Sequence, residues 1–454
     1  MLAAGVALVS GLAGHARDIL SAKEDRSRTQ RDAVFAFAVR VLGAAILYLS
    51  QAVLARWMGG HEYGVFVFVW SWVLVLGGLS ALGLAGATVR LLPEYREKGE
   101  LALARGLTRG GRLLALASGT IVAALGLAGL WFFGERLGAP YILPAYLALV
   151  CVPLYALEEA QDGIGRGRGW MGIALVPPFI LRPLLILMTM VAAHATGLPM
   201  TAPIAAAAAI VATWGAAIVQ MVLVNRGLER EDSAVGRRYA FGSWLGVSLP
   251  LAAVYACELA MQNADVLIIS RYMTPADVGI YFAAAKTMSL IMFVHYAVGS
   301  AVAARFAALN ARDDKAGLKA FAADAANWTF WPSLVCAAAI LALGRPLLSL
   351  FGPDFVSGYP VMLILVLGFL CRSAMGPSDI LLNMLGEQRL CALMLGATAA
   401  IDVALNFLLI PRFGLTGAAT ATATALACGT LMSYFAARRR LGIDVAIWHN
   451  LKRS

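Results

Sequence analysis

The sequence predicts an all-α integral membrane protein of about twelve transmembrane helices arranged as two homologous six-helix lobes. Three observations predict it. The 454 residues are 61% hydrophobic and only 14% charged, with a mean hydropathy of +0.78, beyond what a soluble chain of this length carries. Apolar runs of about 20 residues, the length a ~30 Å hydrocarbon core requires, recur from end to end. One short motif also returns once, in matching positions of the two halves. A β-barrel would instead show ~10-residue segments of alternating hydrophobicity.

Taken in order, residues 1–32 form an N-terminal segment. Its apolar stretch Leu2 to Gly14 is too short to span and has no basic residue before it, so an interfacial helix fits better than a secretory signal. The spans follow at 33–55, 63–88, 113–133, 140–157, 170–193 and 202–224 in the first lobe (33–224). A linker, 225–240, leads to the second lobe (241–437), with spans at 241–270, 278–304, 328–351, 359–384, 390–411 and 414–437. Residues 438–454 form a basic tail. The fourth span is the least regular, interrupted by Pro140, Pro144 and Pro153.

Lys and Arg alternate strictly along this scheme. Arg17, Lys23, Arg26, Arg28 and Arg31 lie before the first span, and Arg90, Arg96, Lys98, Arg105, Arg109 and Arg112 after the second. Arg226, Arg230, Arg237 and Arg238 occupy the linker, Arg305, Arg312, Lys315 and Lys319 the loop after the eighth span, and Arg438, Arg439 and Arg440 the tail. The opposite loops hold single cations: Arg56, Arg136, Arg271, Arg345 and Arg412. This bias predicts cytoplasmic termini in a multi-pass membrane protein, and it accounts for the net charge of +10 without nucleic-acid binding. The outer loops are too short to carry a periplasmic polymerase or ligase. Six cysteines, Cys151, Cys257, Cys336, Cys371, Cys391 and Cys428, lie inside spans with no metal-like spacing and are expected as free thiols.

The returning motif is Arg56-Trp-Met-Gly-Gly-His-Glu-Tyr-Gly-Val-Phe66, matched by Arg271-Tyr-Met-Thr-Pro-Ala-Asp-Val-Gly-Ile-Tyr281. Each copy joins the first and second spans of a half. Because six spans return the chain to the same side, the halves share an orientation and are related by an axis along the membrane normal. Thr274-Pro275-Ala276-Asp277 reads as a helix start, with a hydroxyl cap, proline at the first position and an acid at the third.

Several stretches in this order carry a family resemblance. They are Gly59–Gly64 (Gly-x-x-Glu-Tyr-Gly), Leu82–Tyr95, Asp265-Val-Leu-Ile-Ile, Val278–Lys286, Leu350–Phe355, Asn406–Gly414 and Gly417-Ala-Ala. Over about residues 33–437 the chain resembles the polysaccharide or O-antigen (Wzx-type) flippases of the MOP superfamily, which also includes the MATE exporters. The resemblance implies two six-helix lobes and alternating access. Its implied cargo is a polyprenyl-pyrophosphate-linked oligosaccharide, with membrane lipids and other polysaccharide assembly proteins as partners. The two extra C-terminal helices of lipid II flippases have no counterpart, which places the chain nearer the twelve-helix branch.

The candidate site residues are charges inside spans. The cations are Arg40, Arg182, Lys286 and Arg372; the acids are Glu258, Asp265, Asp379 and Asp402. All four acids fall in the second half, where pairing with Lys286 and Arg372 competes with ion coupling as their role. Arg40 and Arg182 are expected to have no acid within their own lobe's spans, with Glu158, Glu159 and Asp162 facing water at the inner end of the fourth. An unpaired cation near mid-membrane costs roughly 2.5–3.5 kcal/mol, so such residues face a cavity or a partner. Arginine forks also suit phosphate oxygens. The four cations are therefore expected to bind the anionic head. Snorkelling competes as a role for Arg40, and bonding to carbonyls freed by nearby prolines for Arg182. Gln51, Gln262, Asn263, Asn383 and Asn406 supply hydrogen bonds to sugar or between helices. His295 is expected to pack. No cofactor, metal site, phosphate loop or nucleophile–base cluster is present in the sequence, so an enzyme is not expected. The rival readings are a proton- or sodium-coupled exporter of cationic compounds using the acids, and an integral-membrane glycan enzyme or scaffold.

Overall fold

In the computed structural model, which describes residues 25–232 and 236–450, the chain is helical throughout, with no strand among the described residues. The interfacial helix expected at Leu2–Gly14 lies outside them. The first half comprises α1 (Asp25–Ser80), α2 (Leu84–Glu97), α3 (Leu101–Phe133), α4 (Ala139–Leu149), α5 (Val152–Gly167), α6 (Met171–Val176), α7 (Arg182–Ala195) and α8 (Ala202–Asp232). The second comprises α9 (Phe241–Tyr272), α10 (Pro275–Ser289), α11 (Met292–Ala311), α12 (Lys315–Ala342), α13 (Gly344–Ser349), α14 (Tyr359–Ala374), α15 (Ser378–Met384), α16 (Gln388–Leu441) and α17 (Ile447–Asn450).

Among the described residues, nine helical stretches are long and apolar enough to cross a membrane, and the bent pair α4–α5 makes a tenth. The two longest, 65 and 54 residues, each contain a glycine with non-helical backbone, Gly59 (φ 76) and Gly414 (φ 58). Each therefore crosses twice, and the twelve expected crossings are present. Positive φ costs glycine nothing, so both turns are made without leaving the helix for a loop. Five crossings are interrupted. The second breaks at Leu82–Gly83, both at positive φ, the fourth bends by 47° between Leu149 and Val152, and the fifth winds through a π turn at Pro177–Leu181. The eighth breaks before Met292 and the tenth at Met375–Pro377. Broken crossings expose backbone groups, which membranes tolerate where the break faces protein or a wet cavity.

The second copy of the motif folds as its residues dictate. The Thr274 and Asp277 side chains cap each other's backbone N–H groups, with Pro275 at the first position of α10. In the first copy the matching acid works differently: Glu62 Oε2 accepts the Ala202 N–H at 2.7 Å, capping α8. The two copies then meet. A Cβ on Gly64 would lie 1.6 Å from the Pro275 carbonyl oxygen, and one on Gly279 would lie 3.2 Å from that of Gly60. Gly64 and Gly279 are equivalent positions of the motif, as are Gly60 and Pro275, so the pseudo-two-fold axis passes through this contact.

Around it both halves share one buried apolar core, from Ala52–Val73 and Ala202–Ala212 to Val266–Met288 and Ile340–Phe369. Towards the other end the core divides. The first half closes around Leu92, Leu107, Ile164 and Val224, the second around Phe306, Leu318, Leu381 and Tyr434. One element bridges the division: Trp244 of α9, fully buried, sits in the first half's cluster and donates its indole N–H to Tyr95 Oη at 3.2 Å. Residues expected as linker and tail are more structured than their polarity suggests. α8 continues to Asp232, the Arg238 N–H reaches the Ala102 carbonyl at 2.9 Å, and Ile443, Val445 and Ala446 are buried in the second half's core.

Candidate functional site

The charged side chains fall into separate groups, Arg182 with Glu158 in the first half and Arg372 with Asp379 in the second. The bend at Leu149–Val152 starts a fresh helix, α5, early enough that Glu158 and Glu159 lie inside the protein. Arg182, first residue of α7 after the π turn, meets this helix. Its Nη1 lies 2.6 Å from Glu158 Oε2, a carboxylate only 2% exposed. The guanidinium also lies over the Tyr155 and Trp70 rings, at 4.9 and 5.9 Å. The expectation that the first lobe's spans hold no buried acid is thereby corrected: Glu158 partners Arg182, and Asp162 pairs with Arg166. Glu159 Oε2 accepts from Tyr255 Oη of α9 at 3.4 Å, a polar contact between the halves.

Arg40 behaves differently. It is exposed and lies 5.7 Å from the Phe179 ring in the π turn. It falls within electrostatic reach of Asp162 but not within ion-pairing distance of a described carboxylate. Across the division, Lys286 of α10 is half-buried, with Nζ 5.1 Å from the Phe282 ring; it too has no described ion pair, although Asp265 lies within electrostatic reach. Of the four predicted cations, Arg40 and Lys286 make no ion pair among the described residues, one in each half.

Arg372 and Asp379 flank the break in the tenth crossing and pair at 3.0 Å. His295 of α11 joins them, its Nε2 3.6 Å from Asp379 Oδ2 and 3.5 Å from Arg372 Nη2. The histidine is 5% exposed, packed as expected but against a charged pair. Glu258 is exposed on α9. Asp265 and Asp402 are buried and within electrostatic reach of each other; nearby, Tyr281 Oη lies 3.3 Å from Thr422 Oγ1, and Asn406 Nδ2 donates to the Asp402 backbone carbonyl at 2.9 Å. Asp402 Oδ1 and Asn406 Oδ1 have no protein partner. Two buried acids within reach of each other can hold a proton or coordinate a cation. Sequence reasoning missed Tyr281, Thr422, Tyr155 and Tyr255. Only Tyr281 carried a signal, as the last residue of the repeated motif.

Residues 30–307 match the family described as "Polysaccharide biosynthesis protein", and residues 250–408 match the one described as "MatE". The chain is 24% identical over 416 residues to the "Putative O-antigen transporter" of Shigella flexneri, covering 85% of this chain and 91% of that protein. It is 20% identical over 408 residues to the "Probable low-salt glycan biosynthesis flippase Agl15" of Haloferax volcanii, covering 88% and 82%. The fold is similar to the inward-facing conformation of a multidrug resistance MATE family transporter of the MOP superfamily. There the TM-score is 0.75 at 13% identity, over 89% of this chain and 98% of that one.

Proposed function

This chain belongs to the polysaccharide biosynthesis protein family, and on that premise we propose that it carries polyprenyl-pyrophosphate-linked oligosaccharides from the cytoplasmic to the outer leaflet of the bacterial inner membrane. It acts as a transporter, not an enzyme. The observation that carries this reading is the presence of two cations without an ion pair among the described residues, Arg40 and Lys286, on opposite halves of a core that is common at one end and divided at the other. A lipid pyrophosphate moved bare through hydrocarbon would cost tens of kcal/mol. Two cations on separate bodies can meet it without being pinned to each other.

In this reading the divided end faces the cytoplasm, with both termini, as the Lys and Arg bias predicts. The head enters between the halves, Arg40 and Lys286 bind the pyrophosphate, and the prenyl chain stays in lipid. The repeated turns then part and the divided end closes. Arg182 serves mainly to fix α7 against α5 through Glu158, and Arg372 fixes the broken tenth crossing through Asp379. Asp265 and Asp402 form the coupling-ion site, which the unpartnered oxygens of Asp402 and Asn406 support.

The same acids support the exporter of cationic compounds as a second reading. One experiment separates the two: delete the gene and assay which leaflet holds the lipid-linked glycan. Cytoplasmic-face accumulation, rescued by wild type but not by Arg40→Ala or Lys286→Ala, is expected. Normal glycan export in the deletion strain, with gained sensitivity to cationic drugs, would sink the proposal.

A further inference from the structure

We infer that the protein holds an anionic membrane phospholipid in a groove between its halves, separate from the substrate path. The groove is a 480 Å³ cavity where the second, third and fourth crossings meet α9, near the end that carries the repeated turns. That volume falls within the roughly 300–1,000 Å³ of ligand sites. Its walls are apolar and aromatic, including Phe68, Trp72, Leu130 and Tyr141, and Arg136 and Arg271 also line it. Arg136 follows the third crossing and Arg271 ends α9, so both sit at the water-facing end of an otherwise apolar slot. Neither has a carboxylate within ion-pairing distance among the described residues; each lies over a neighbouring ring, Phe133 at 5.5 Å and Tyr272 at 5.9 Å. Two cations above an apolar slot match a phosphate head above an acyl chain.

A second observation points to an occupant. Tyr141 is 8% exposed, lines the cavity, and its Oη has no hydrogen-bond partner. Buried tyrosine hydroxyls ordinarily find one. The chain supplies its own comparison, because Phe133-Gly134 and Tyr141 recur at the same spacing as Phe351-Gly352 and Tyr359. There Tyr359 Oη donates to the Leu341 carbonyl at 3.2 Å, and Asp354 stands where the first half has Arg136. The second half has satisfied its tyrosine and placed Arg345 over that ring at 5.4 Å. Among the described residues, it is the first half's tyrosine whose hydroxyl is left for a ligand. Because the occupant would touch both α4 and α9, it would brace one half against the other.

The test uses the full-length protein in detergent with phosphatidylglycerol, phosphatidylethanolamine or undecaprenyl phosphate added, read by native mass spectrometry and thermal unfolding. Phosphatidylglycerol should bind and raise the unfolding temperature more than phosphatidylethanolamine. Arg136→Gln and Arg271→Gln should each weaken it about fivefold, and Ala148→Trp, which fills the slot, should abolish the effect. Arg40→Ala should leave it unchanged, which separates this site from the substrate path. Equal binding of both phospholipids would overturn the inference, as would binding of undecaprenyl phosphate alone or phosphatidylglycerol binding that survives both arginine changes.

Discussion

At the scale of single residues, the useful division is between cations that are paired and cations that are not. Arg182 and Glu158 are nearly sealed from solvent, and removing one partner strands the other. Arg182→Ala is expected to destabilise the protein by about 3–5 kcal/mol, while replacing both, Arg182→Met with Glu158→Leu, should recover most of that loss. Thermal unfolding of the three variants in detergent checks it; equal stability of single and double variants would remove the pair from the account of the fold. Arg40→Ala and Lys286→Ala, whose charges meet no described carboxylate, should leave the unfolding temperature near wild type and abolish transport. The sequence displayed all these cations but not this division, because ion pairing depends on depth. Glu158 read as a residue at the water's edge, and the fold instead buries it against Arg182.

At the scale of elements, the repeated turn was the most legible feature of the chain. Thr274, Pro275 and Asp277 announced a helix start, and the capping box is there. Thr274→Ala should cost about 1 kcal/mol, visible as a lowered unfolding midpoint. What local sequence could not announce is that the two turns face each other. Gly64 is needed for its missing side chain, since any Cβ would enter the Pro275 carbonyl. Gly64→Val should insert normally but hold the turns apart. A reporter Thr287→Cys, wholly buried in the native chain, should then react with a membrane-impermeant thiol reagent. An unreactive reporter would mean that this contact is not what closes the shared core. The break in the eighth crossing escaped the sequence reading because Leu290 and Ile291 carry no breaker signal, and that in the second because Gly83 alone did not outweigh the apolar run around it.

For the whole molecule, twelve crossings followed from hydropathy and charge alternation, and two homologous halves from the repeated motif. The common core at one end and its division at the other did not, because both halves present similar apolar faces along their length. If transport requires the halves to rock, joining them at the turns should stop it. A Cβ on Gly60 would lie 3.5 Å from that of Ala276, within the range a disulfide needs. Gly60→Cys with Ala276→Cys should block transport when oxidised and restore it on reduction; undiminished transport in the fully cross-linked protein would exclude a rocking mechanism. The same contact bears on ancestry. In a symmetric homodimer every close approach is made twice by the same residues. Here the approach of Gly64 to Pro275 and that of Gly279 to Gly60 are the same approach made with different partners. Two identical subunits would have to carry proline on both sides or on neither. Once duplication had made two copies, each side of the dyad could mutate alone, and the difference between Gly60 and Pro275 records a change that followed the duplication.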